Sequence, residues 1–373
     1  MQNKKKFLFI LGTRPEIIKM YPLIHEFKKN KNFNFKILFT NQHFDKDMKK
    51  VFLESFSLRI DYELKLFKKN LGSRFGYYVK EISNVIKLYK PDAAILLGDT
   101  LSAAAGSISA SIQKTKIIYL ESGLRTGDHN LPWPEEIFRK MITQVSDFHF
   151  APTQFNKKNL ISEGIKSKNI FVKGNTVIDA IKDMIKSNKK KFSKKNIYKK
   201  LGLSMNSNYV VITIHRTENI GKNLNKIIKN IDLLVRLYPK INFIFSLHPN
   251  KAFKLPLKNN FKNYNNVKLF NPFNYVEFIF ICKYSNLILS DSGGIQEEAS
   301  VIQKRVLVLR DKTERPEGLN KFLYLCGTSK NKTIYNFKKF IFNSKVIDTK
   351  NIFGKGNSRR IIYQVIKKIQ NKI

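Results

Sequence analysis

Short apolar runs alternate with longer amphipathic segments along most of the chain. The first run, KKFLFILG, is largely apolar at consecutive positions, and the segment after it, RPEIIKMYPLIHEFKKN, has helical spacing with a proline near its start. Further strands are predicted at FKILFTN, PDAAILLGD, KIIYLE and DFHFAPT. Strands that are apolar on both faces and alternate with helices are typical of a parallel sheet covered by helices on both sides. The pattern therefore predicts a doubly wound α/β fold.

The same alternation begins again after about residue 170. A lysine-rich stretch, KSNKKKFSKKNIYKK, is predicted to be an exposed helix or loop, and further strands are predicted at YVVITIH, INFIFSLHP, NLILSDSGG and RVLVLRD. We expect an N-terminal domain over residues 1–170 and a C-terminal domain over residues 171–356. The amphipathic segment 357–373 is expected to form a helix that packs back on the N-terminal domain. A ligand cleft is expected between the two domains.

Lysine dominates the charge of the chain. The 373 residues include 69 Lys and Arg against 28 Asp and Glu, a net charge of +41, which by itself would favour a nucleic acid or an anionic membrane as partner. The lysines are spread along the whole chain among many Asn, Ile and Phe, as a bias of an AT-rich coding sequence would produce. We therefore expect no specific nucleic-acid partner and no membrane partner.

The two cysteines, Cys282 and Cys326, have no metal-type spacing, and no apolar stretch approaches the length of a membrane span. These features favour a cytoplasmic protein without a disulfide framework.

Arginine is rare and unevenly placed. Half of the twelve arginines lie in short polar motifs: Arg14, Arg125, Arg139, Arg216, Arg310 and Arg315. A guanidinium binds a phosphate or a carboxylate through two parallel hydrogen bonds, which an ammonium cannot do. The pattern favours an anionic ligand, although a chance distribution of six arginines is the alternative.

The unusual polar clusters each follow a predicted strand. They are GTRPE, GDT, ESGLRTGD, HRTEN, LHPN, DSGGIQEE and RDKTERPE. Ligands of open parallel sheets bind off the carboxyl ends of the strands. Surface charge without a function would not be distributed in this way, so these clusters are the candidate site.

Two carboxylates carry the candidate chemistry. Asp99 and Glu121 follow neighbouring predicted strands, and a close pair of carboxylates can have separated pKa values and serve as acid and base. Taken alone, each of them is better explained as a helix cap or a surface acid. Among the histidines, His215, beside Arg216 in the HRTEN motif, is the best candidate for a functional residue. The alternative explanation of this motif is a capped helix start.

Two further motifs could hold phosphate. Ser292, Gly293 and Gly294 lie between a predicted strand and a helix, where backbone N–H groups and the helix N-terminus favour an anion. The alternative is an ordinary helix capped by its own polar side chains. Arg14 and Lys19 could hold phosphate at the end of the first strand, or form an exposed first turn. There is no GxGxxG, GxSxG, P-loop or metal-type spacing, so no cofactor is indicated.

Taken together, these stretches resemble the non-hydrolysing UDP-N-acetylglucosamine 2-epimerase family. The matching strings lie in the family's order from residue 7 to about 318: GTRPEIIKM, GDT, ESGLRTGD, PWPEE, HFAPT, GNTVIDA, HRTEN, DSGGIQEE and RDKTERPEG. The resemblance implies two Rossmann-like domains with an interdomain cleft, as in B-type glycosyltransferases (GT-B), and a homodimer that uses neither metal nor nicotinamide. It also implies reversible epimerisation of UDP-N-acetylglucosamine to UDP-N-acetylmannosamine through 2-acetamidoglucal, for surface polysaccharide precursors.

The resemblance also implies roles for individual residues. Asp99, Glu121 and Glu135 match the family's catalytic carboxylates, and His215 matches its active-site histidine near the diphosphate. The matching nucleotide-binding positions are Arg14, Lys19, Ser292, Gly293, Gly294, Glu298 and Arg315. Gln42, Arg216 and His248 match a regulatory site at which many bacterial members bind a second substrate molecule.

The chain also departs from the family pattern, with Ser122 in place of the usual alanine and Thr217 where a second arginine is common. Two alternatives remain open: a hydrolysing 2-epimerase that releases free N-acetylmannosamine, and a glycosyltransferase of the same architecture.

Overall fold

The computed structural model describes residues 4–42, 56, 58–67, 69–343, 347, 349 and 351–373. The chain divides into two compact units. We call them the N-terminal unit, Met1–Ala180 with Phe353–Ile373, and the C-terminal unit, Ile181–Ile352. The division falls ten residues after the expected boundary at residue 170, because the helix that begins at Thr176 is tied to the N-terminal unit. Its Thr176 hydroxyl donates to the backbone oxygen of Lys19.

The described residues of the N-terminal unit form a seven-stranded parallel sheet. The strands are β1 Lys6–Leu11, β2 Asn34–Phe39, β3 Tyr62–Glu63, β4 Ala93–Leu97, β5 Lys116–Leu120, β6 Phe148–Ala151 and β7 Ile170–Val172. Their order across the sheet is β3-β2-β1-β4-β5-β6-β7. The order of the chain therefore reverses between β1 and β4, which pair directly at Phe7 and Ala93. Such a reversal opens a crevice at the carboxyl ends of the two strands.

Helices cover this sheet on both faces. They are α1 Arg14–Asn30, α2 Leu71–Tyr89, α3 Leu101–Ile112, α4 Glu135–Val145, α5 Gln154–Ser162 and, from the end of the chain, α13 Ser358–Ile369. Helix α6, Thr176–Asn188, begins in the N-terminal unit and ends in the C-terminal unit. Phe9 of β1 packs against Phe27 of α1, with ring centroids 5.2 Å apart. Leu8 and Ile10, on the other face of β1, belong to the core formed with α2, α3 and α4. This two-sided burial explains why β1 is a continuous apolar run.

The stretch LSAAAGSISASIQ, whose small residues predict a helix that could pack close to a sheet, contains α3, and α3 lies close to the sheet. A Cβ atom on Gly106 would stand 2.9 Å from Leu96 and 3.0 Å from Ile10, so a larger residue does not fit without movement. The terminal helix α13 contacts α1 through Tyr363, whose ring centroid lies 5.1 Å from that of Phe27. A helix that the pattern also predicts over residues 45–56 lies, apart from Phe56, outside the described residues.

The C-terminal unit repeats the architecture. Its described strands are β8 Asn208–Thr213, β9 Ile241–Ser246, β10 Val267–Phe270, β11 Leu287–Ser290, β12 Val306–Val308 and β13 Leu323–Leu325. Its helices are α7 Lys194–Leu201, α8 Lys222–Leu237, α9 Lys251–Phe261, α10 Tyr275–Tyr284, α11 Gly293–Ile302 and α12 Lys330–Phe340. The sheet order is β10-β9-β8-β11-β12-β13, all parallel, with the reversal between β8 and β11. The predicted fold class, two doubly wound α/β units, is confirmed.

Across the part of the chain that the structure describes, no helix has the length and apolar character needed to cross a membrane.

Candidate active site

The loop after β4 holds Asp99. Thr100, not Asp99, caps the following helix α3, because its hydroxyl accepts a hydrogen bond of 3.0 Å from the backbone N–H of Ala103. The Asp99 carboxylate instead forms an ion pair with the guanidinium of Arg139 on α4. A second nitrogen of the same buried guanidinium donates to Glu136 at 2.8 Å. Asp99 is therefore held by a side chain that is itself fixed.

Glu121 follows the neighbouring strand β5 and is buried. Its carboxylate forms an ion pair with Lys19 of α1 and accepts a hydrogen bond of 2.9 Å from the amide of Asn175. Its backbone has φ of 61°, a left-handed conformation that costs a non-glycine residue on the order of 1 kcal/mol or more. Strain at a buried, doubly held carboxylate is typical of a functional position.

The two expected phosphate-binding cations of this unit have different surroundings. Arg14 is exposed at the start of α1, directly after the loop that follows β1. Lys19, one turn further along the helix, is buried, and its ammonium group contacts Glu121. Lys19 is therefore paired with the Glu121 carboxylate. A phosphate that also contacted Lys19 would lie close to Glu121.

The segment Glu121–Glu136 is held in place by the side-chain contacts of Arg125 and Glu136. Arg125 donates two hydrogen bonds to the Glu163 carboxylate, at 2.7 and 2.6 Å, and a third to Thr143 at 2.8 Å. Glu136 is fully buried and accepts from Arg139. Glu135 is the first residue of α4 and only partly buried. Arg125 and Glu136 thus order the segment that presents Glu121 and Glu135.

Glu16 is a buried acid whose importance the sequence pattern does not reveal. Its carboxylate accepts hydrogen bonds from the backbone N–H of Gly12 at 2.9 Å, the Thr13 hydroxyl at 2.8 Å and the Thr100 hydroxyl at 2.6 Å. Burial raises the pKa of Glu16 to about 7, and the hydrogen bonds to its oxygens lower the pKa by less. The residue stands in the GTRPE motif, but no spacing in that motif predicts its burial.

In the C-terminal unit, the crevice between β8 and β11 is organised by Asp291. This fully buried carboxylate accepts from the backbone N–H groups of His215 and Arg216, at 3.0 and 2.9 Å, and from the Asn219 amide at 2.9 Å. Its oxygen also lies 3.6 Å from Nδ1 of His215. The ring of His215 stacks on that of His248 at a centroid distance of 5.8 Å. Asp291 therefore fixes the HRTEN loop.

The N-terminus of α11 lies beside two guanidinium groups. Ser292 occupies the N-cap position but, within the described residues, makes no side-chain capping hydrogen bond. A Cβ atom on Gly293 would stand 2.8 Å from Nη1 of Arg315 and 3.2 Å from Nη2 of Arg216. A Cβ atom on Gly294 would lie 3.4 Å from a carboxylate oxygen of Glu298. A Cβ atom on Gly293 would therefore push the ends of the Arg315 and Arg216 side chains away from the start of the helix. Two guanidinium groups beside the positive end of a helix are suited to binding an anion.

Buried carboxylates hold the guanidinium groups in place. Arg315 contacts Glu297 at 2.9 Å and Glu314 at 2.5 Å, and Glu314 also contacts Arg310 at 3.0 Å. Arg310 reaches Glu218 of the HRTEN loop at 2.7 Å. The network joins the ends of β8 and β12 to α11, and so gives the anion-binding groups a fixed geometry.

The remaining expected site residues lie in both units. Glu298 accepts a hydrogen bond of 2.8 Å from the Tyr275 hydroxyl and is nearly buried. In the N-terminal unit, the side-chain oxygen of Gln42 accepts from the backbone N–H and the hydroxyl of Ser102, at 2.8 and 2.7 Å. Arg216 and His248, expected in the same regulatory site as Gln42, belong to the C-terminal unit. Among the residues that the structure describes, no group of three or more His, Cys, Asp or Glu could hold a metal ion.

Two doubly wound parallel sheets, each with a polar cluster at its strand-order reversal, define an α/β protein of the class that binds ligands at the carboxyl ends of its strands. A family model described as UDP-N-acetylglucosamine 2-epimerase matches residues 25–367. The chain belongs to the UDP-N-acetylglucosamine 2-epimerase family.

Similar proteins extend over nearly the full length. A UDP-N-acetylglucosamine 2-epimerase of Neisseria meningitidis is 37% identical, over 97% of this chain and 99% of its own length. A crystal structure of UDP-GlcNAc 2-epimerase from Neisseria meningitidis, bound to UDP-GlcNAc, superposes with a TM-score of 0.92 at 36% identity, covering 97% of this chain and 100% of that one. The Methanocaldococcus jannaschii UDP-GlcNAc 2-epimerase, in complex with UDP-GlcNAc and UDP, has a TM-score of 0.89 at 36% identity, covering 97% and 99% of the two chains.

Proposed function

We propose that this chain catalyses reversible epimerisation at C2 of UDP-N-acetylglucosamine, giving UDP-N-acetylmannosamine, without releasing the sugar. The observation that carries the proposal is the pair of carboxylates Asp99 and Glu121. They follow neighbouring strands, and each is held by its own cation, Arg139 and Lys19 respectively. The identity of the proposed substrate rests on family membership and on relatives whose structures contain UDP-GlcNAc.

The chemistry requires acid–base groups around C2 and firm retention of UDP. The hydrogen on C2 is not acidic, so its direct removal would leave an unstable carbanion. If a base takes this proton while the C1–O bond to UDP breaks, the electron pair forms a C1=C2 double bond. The products are 2-acetamidoglucal and UDP. Protonation of C2 from the opposite face and return of the UDP oxygen to C1 give the epimer.

We assign Asp99, Glu121 and Glu135 to the proton transfers. Two of them act on opposite faces of C2. Lys19, which touches Glu121, favours the ionised form of that carboxylate and so supports a role as base. Arg139 holds the Asp99 carboxylate in place through an ion pair. The order in which the carboxylates act follows from the direction of the reaction, since the acid of one direction is the base of the other.

We assign UDP retention to the C-terminal unit. The N-terminus of α11, with Ser292, Gly293 and Gly294, binds the diphosphate together with Arg315 and His215, while Glu298 takes the ribose hydroxyls. Negative charge develops on the diphosphate as the C1–O bond breaks, and fixed guanidinium groups and helix N–H donors stabilise it there. From the family motif we also assign Arg14 to UDP binding.

The non-hydrolysing outcome is part of the same proposal. A diphosphate held by a helix N-terminus and guanidinium groups stays available to attack C1 again. Release of the intermediate to water would give free N-acetylmannosamine and UDP instead. We also propose, on family membership alone, a homodimer, regulation by a second substrate molecule at Gln42, Arg216 and His248, and a role in surface polysaccharide precursors.

Product analysis tests the proposed function. The purified chain is incubated with UDP-N-acetylglucosamine and no acceptor, and the products are resolved by NMR and chromatography. UDP-N-acetylmannosamine at equilibrium with substrate supports the proposal. UDP with an equal amount of free N-acetylmannosamine would show a hydrolysing enzyme, and an unchanged substrate would favour a glycosyltransferase.

Matched variants test the carboxylates. Asp99→Asn and Glu121→Gln should abolish epimerisation while the protein stays folded. Asp147→Asn is the control, because Asp147 directly precedes β6 and accepts from the backbone N–H of Ile117, near the amino end of β5, at 2.9 Å. Glu121 lies at the carboxyl end of β5. The assignment fails if Asp99→Asn and Glu121→Gln epimerise at the wild-type rate.

A further inference from the structure

Glu16 stands where the strand order reverses in the N-terminal unit. Its two oxygens bridge the loop after β1 to the loop after β4. One oxygen accepts from Gly12 and Thr13 of its own loop, and the other accepts from the Thr100 hydroxyl. Thr100 is the residue next to Asp99. The bridge is therefore one peptide away from a carboxylate that we assign to proton transfer.

The Thr100 hydroxyl can have only one arrangement when Glu16 is ionised. A hydroxyl has a single hydrogen, and a carboxylate can only accept, so Thr100 donates to Glu16. The oxygen of Thr100 then accepts from the backbone N–H of Ala103 and caps α3. Glu16 thereby orients the cap and fixes the peptide that follows Asp99. On its other side, Asp99 follows Gly98, whose φ of 73° suits glycine.

We propose that Glu16 is the positioning residue of Asp99, acting through the Thr100 hydroxyl. Glu16 sets the backbone of Asp99, and Arg139 holds its carboxylate. The inference rests on the proposed function, since it requires Asp99 to act on the substrate.

The burial of Glu16 supports this role. A buried carboxylate with no paired cation in the described contacts loses its hydration, and three hydrogen bonds compensate only part of that loss. An amide of the same shape could join the two loops at a lower energetic cost. A purely structural bridge would therefore be served better by glutamine than by glutamate.

The experiment compares kcat and KM for C2 epimerisation in four variants. Glu16→Ala and Thr100→Val remove the bridge, and each should lower kcat about tenfold or more, because a displacement of about 1 Å can cost about 100-fold in rate. The KM for UDP-N-acetylglucosamine should change by less than about threefold, since the assigned UDP-binding groups belong mainly to the other unit. Thr100→Ser keeps the hydroxyl and should retain kcat within about threefold. The double variant Glu16→Ala/Thr100→Val should be no slower than the slower single variant.

Asp179→Ala is the control for lost stability. Asp179 is a fully buried carboxylate of the same unit that accepts from the backbone N–H groups of Ser358 and Arg359, far along the chain from Asp99. The folded fraction of Asp179→Ala should keep the wild-type kcat. If Glu16→Ala does not fold, the comparison of Thr100→Val with Thr100→Ser still tests the inference.

Two outcomes would overturn the inference and leave the proposed function intact. One is wild-type kcat in folded Glu16→Ala and Thr100→Val while Asp99→Asn is inactive. The other is an equal loss of kcat in Thr100→Ser and Thr100→Val. If Asp99→Asn itself keeps the wild-type rate, the assigned role of Asp99 is refuted, and the positioning role of Glu16 is refuted with it.

Discussion

Replacing Glu16 by glutamine should make the N-terminal unit more stable at alkaline pH relative to wild type. Burial raises the pKa of Glu16 from 4.5 to about 7, so the folded protein holds a proton that the unfolded chain releases above its own pKa. The contribution of this proton to stability is fully present below pH 4.5 and is lost as the pH rises through about 7. Glutamine does not titrate, so the variant lacks this loss.

The size of the effect follows from the two pKa values. A separation of about 2.5 pKa units corresponds to about 3.4 kcal/mol in total, of which about 2.5 kcal/mol is lost between pH 5 and pH 8. Glutamine keeps the shape of the carboxyl group and can donate to the Thr100 oxygen, so its cost in hydrogen bonding, about 1 kcal/mol, should not vary with pH. The difference in unfolding free energy between variant and wild type should therefore increase by about 2.5 kcal/mol from pH 5 to pH 8.

Urea unfolding measures this difference at several pH values. Far-UV circular dichroism follows the loss of helix and sheet as the protein unfolds. All other titrating groups are common to both proteins and cancel in the difference. A difference that stays constant within about 0.5 kcal/mol over this range would refute the raised pKa and the burial argument drawn from it.

Two further substitutions test separate parts of the structure. Gly293→Ala should weaken UDP binding about tenfold or more in calorimetric titration, because the added Cβ would displace Arg315 and Arg216 from the start of α11. Unchanged affinity would contradict the anion-binding assignment. Ser122→Ala should destabilise the protein by about 1 to 2 kcal/mol in urea unfolding, with little loss of activity. Burial lowers the pKa of His149 to about 4, so its ring is neutral. Its Nε2 donates to the backbone oxygen of Ser146 at 3.2 Å, so Nδ1 accepts from the Ser122 hydroxyl at 3.0 Å, and Ser122→Ala removes this donor. Equal stabilities of the two proteins would refute this pairing.

The sequence predicts the fold through its apolar pattern. Strands buried on both faces, such as β1 and β4, are continuous apolar runs, and the small-residue helix α3 is recognisable because only small side chains permit its close approach to the sheet. The strands β3 and β13 are not predicted, and β3, with two residues, is too short to show a period.

The sequence also predicts which loops carry the polar clusters, but not how the side chains pair. Asp99 was expected as a possible cap, whereas Thr100 caps the helix and Asp99 pairs with Arg139, forty residues away in the chain. Asn175, which donates to Glu121, is 54 residues from it. Pairings over such separations depend on tertiary packing and leave no periodic signal in one sequence. The burial of Glu16 is not predictable from the sequence either, because it also depends on tertiary packing.

The location of the C2 hydrogen tests the central claim most directly. The chain alone is incubated with UDP-N-acetylglucosamine in D2O, and both UDP-sugars are recovered and examined by NMR. Epimerisation by elimination and re-addition predicts deuterium at C2 of UDP-N-acetylmannosamine and, as the reaction reverses, of UDP-N-acetylglucosamine, without accumulation of UDP. Recovery of substrate with its C2 hydrogen intact, in the absence of any acceptor, would contradict the account.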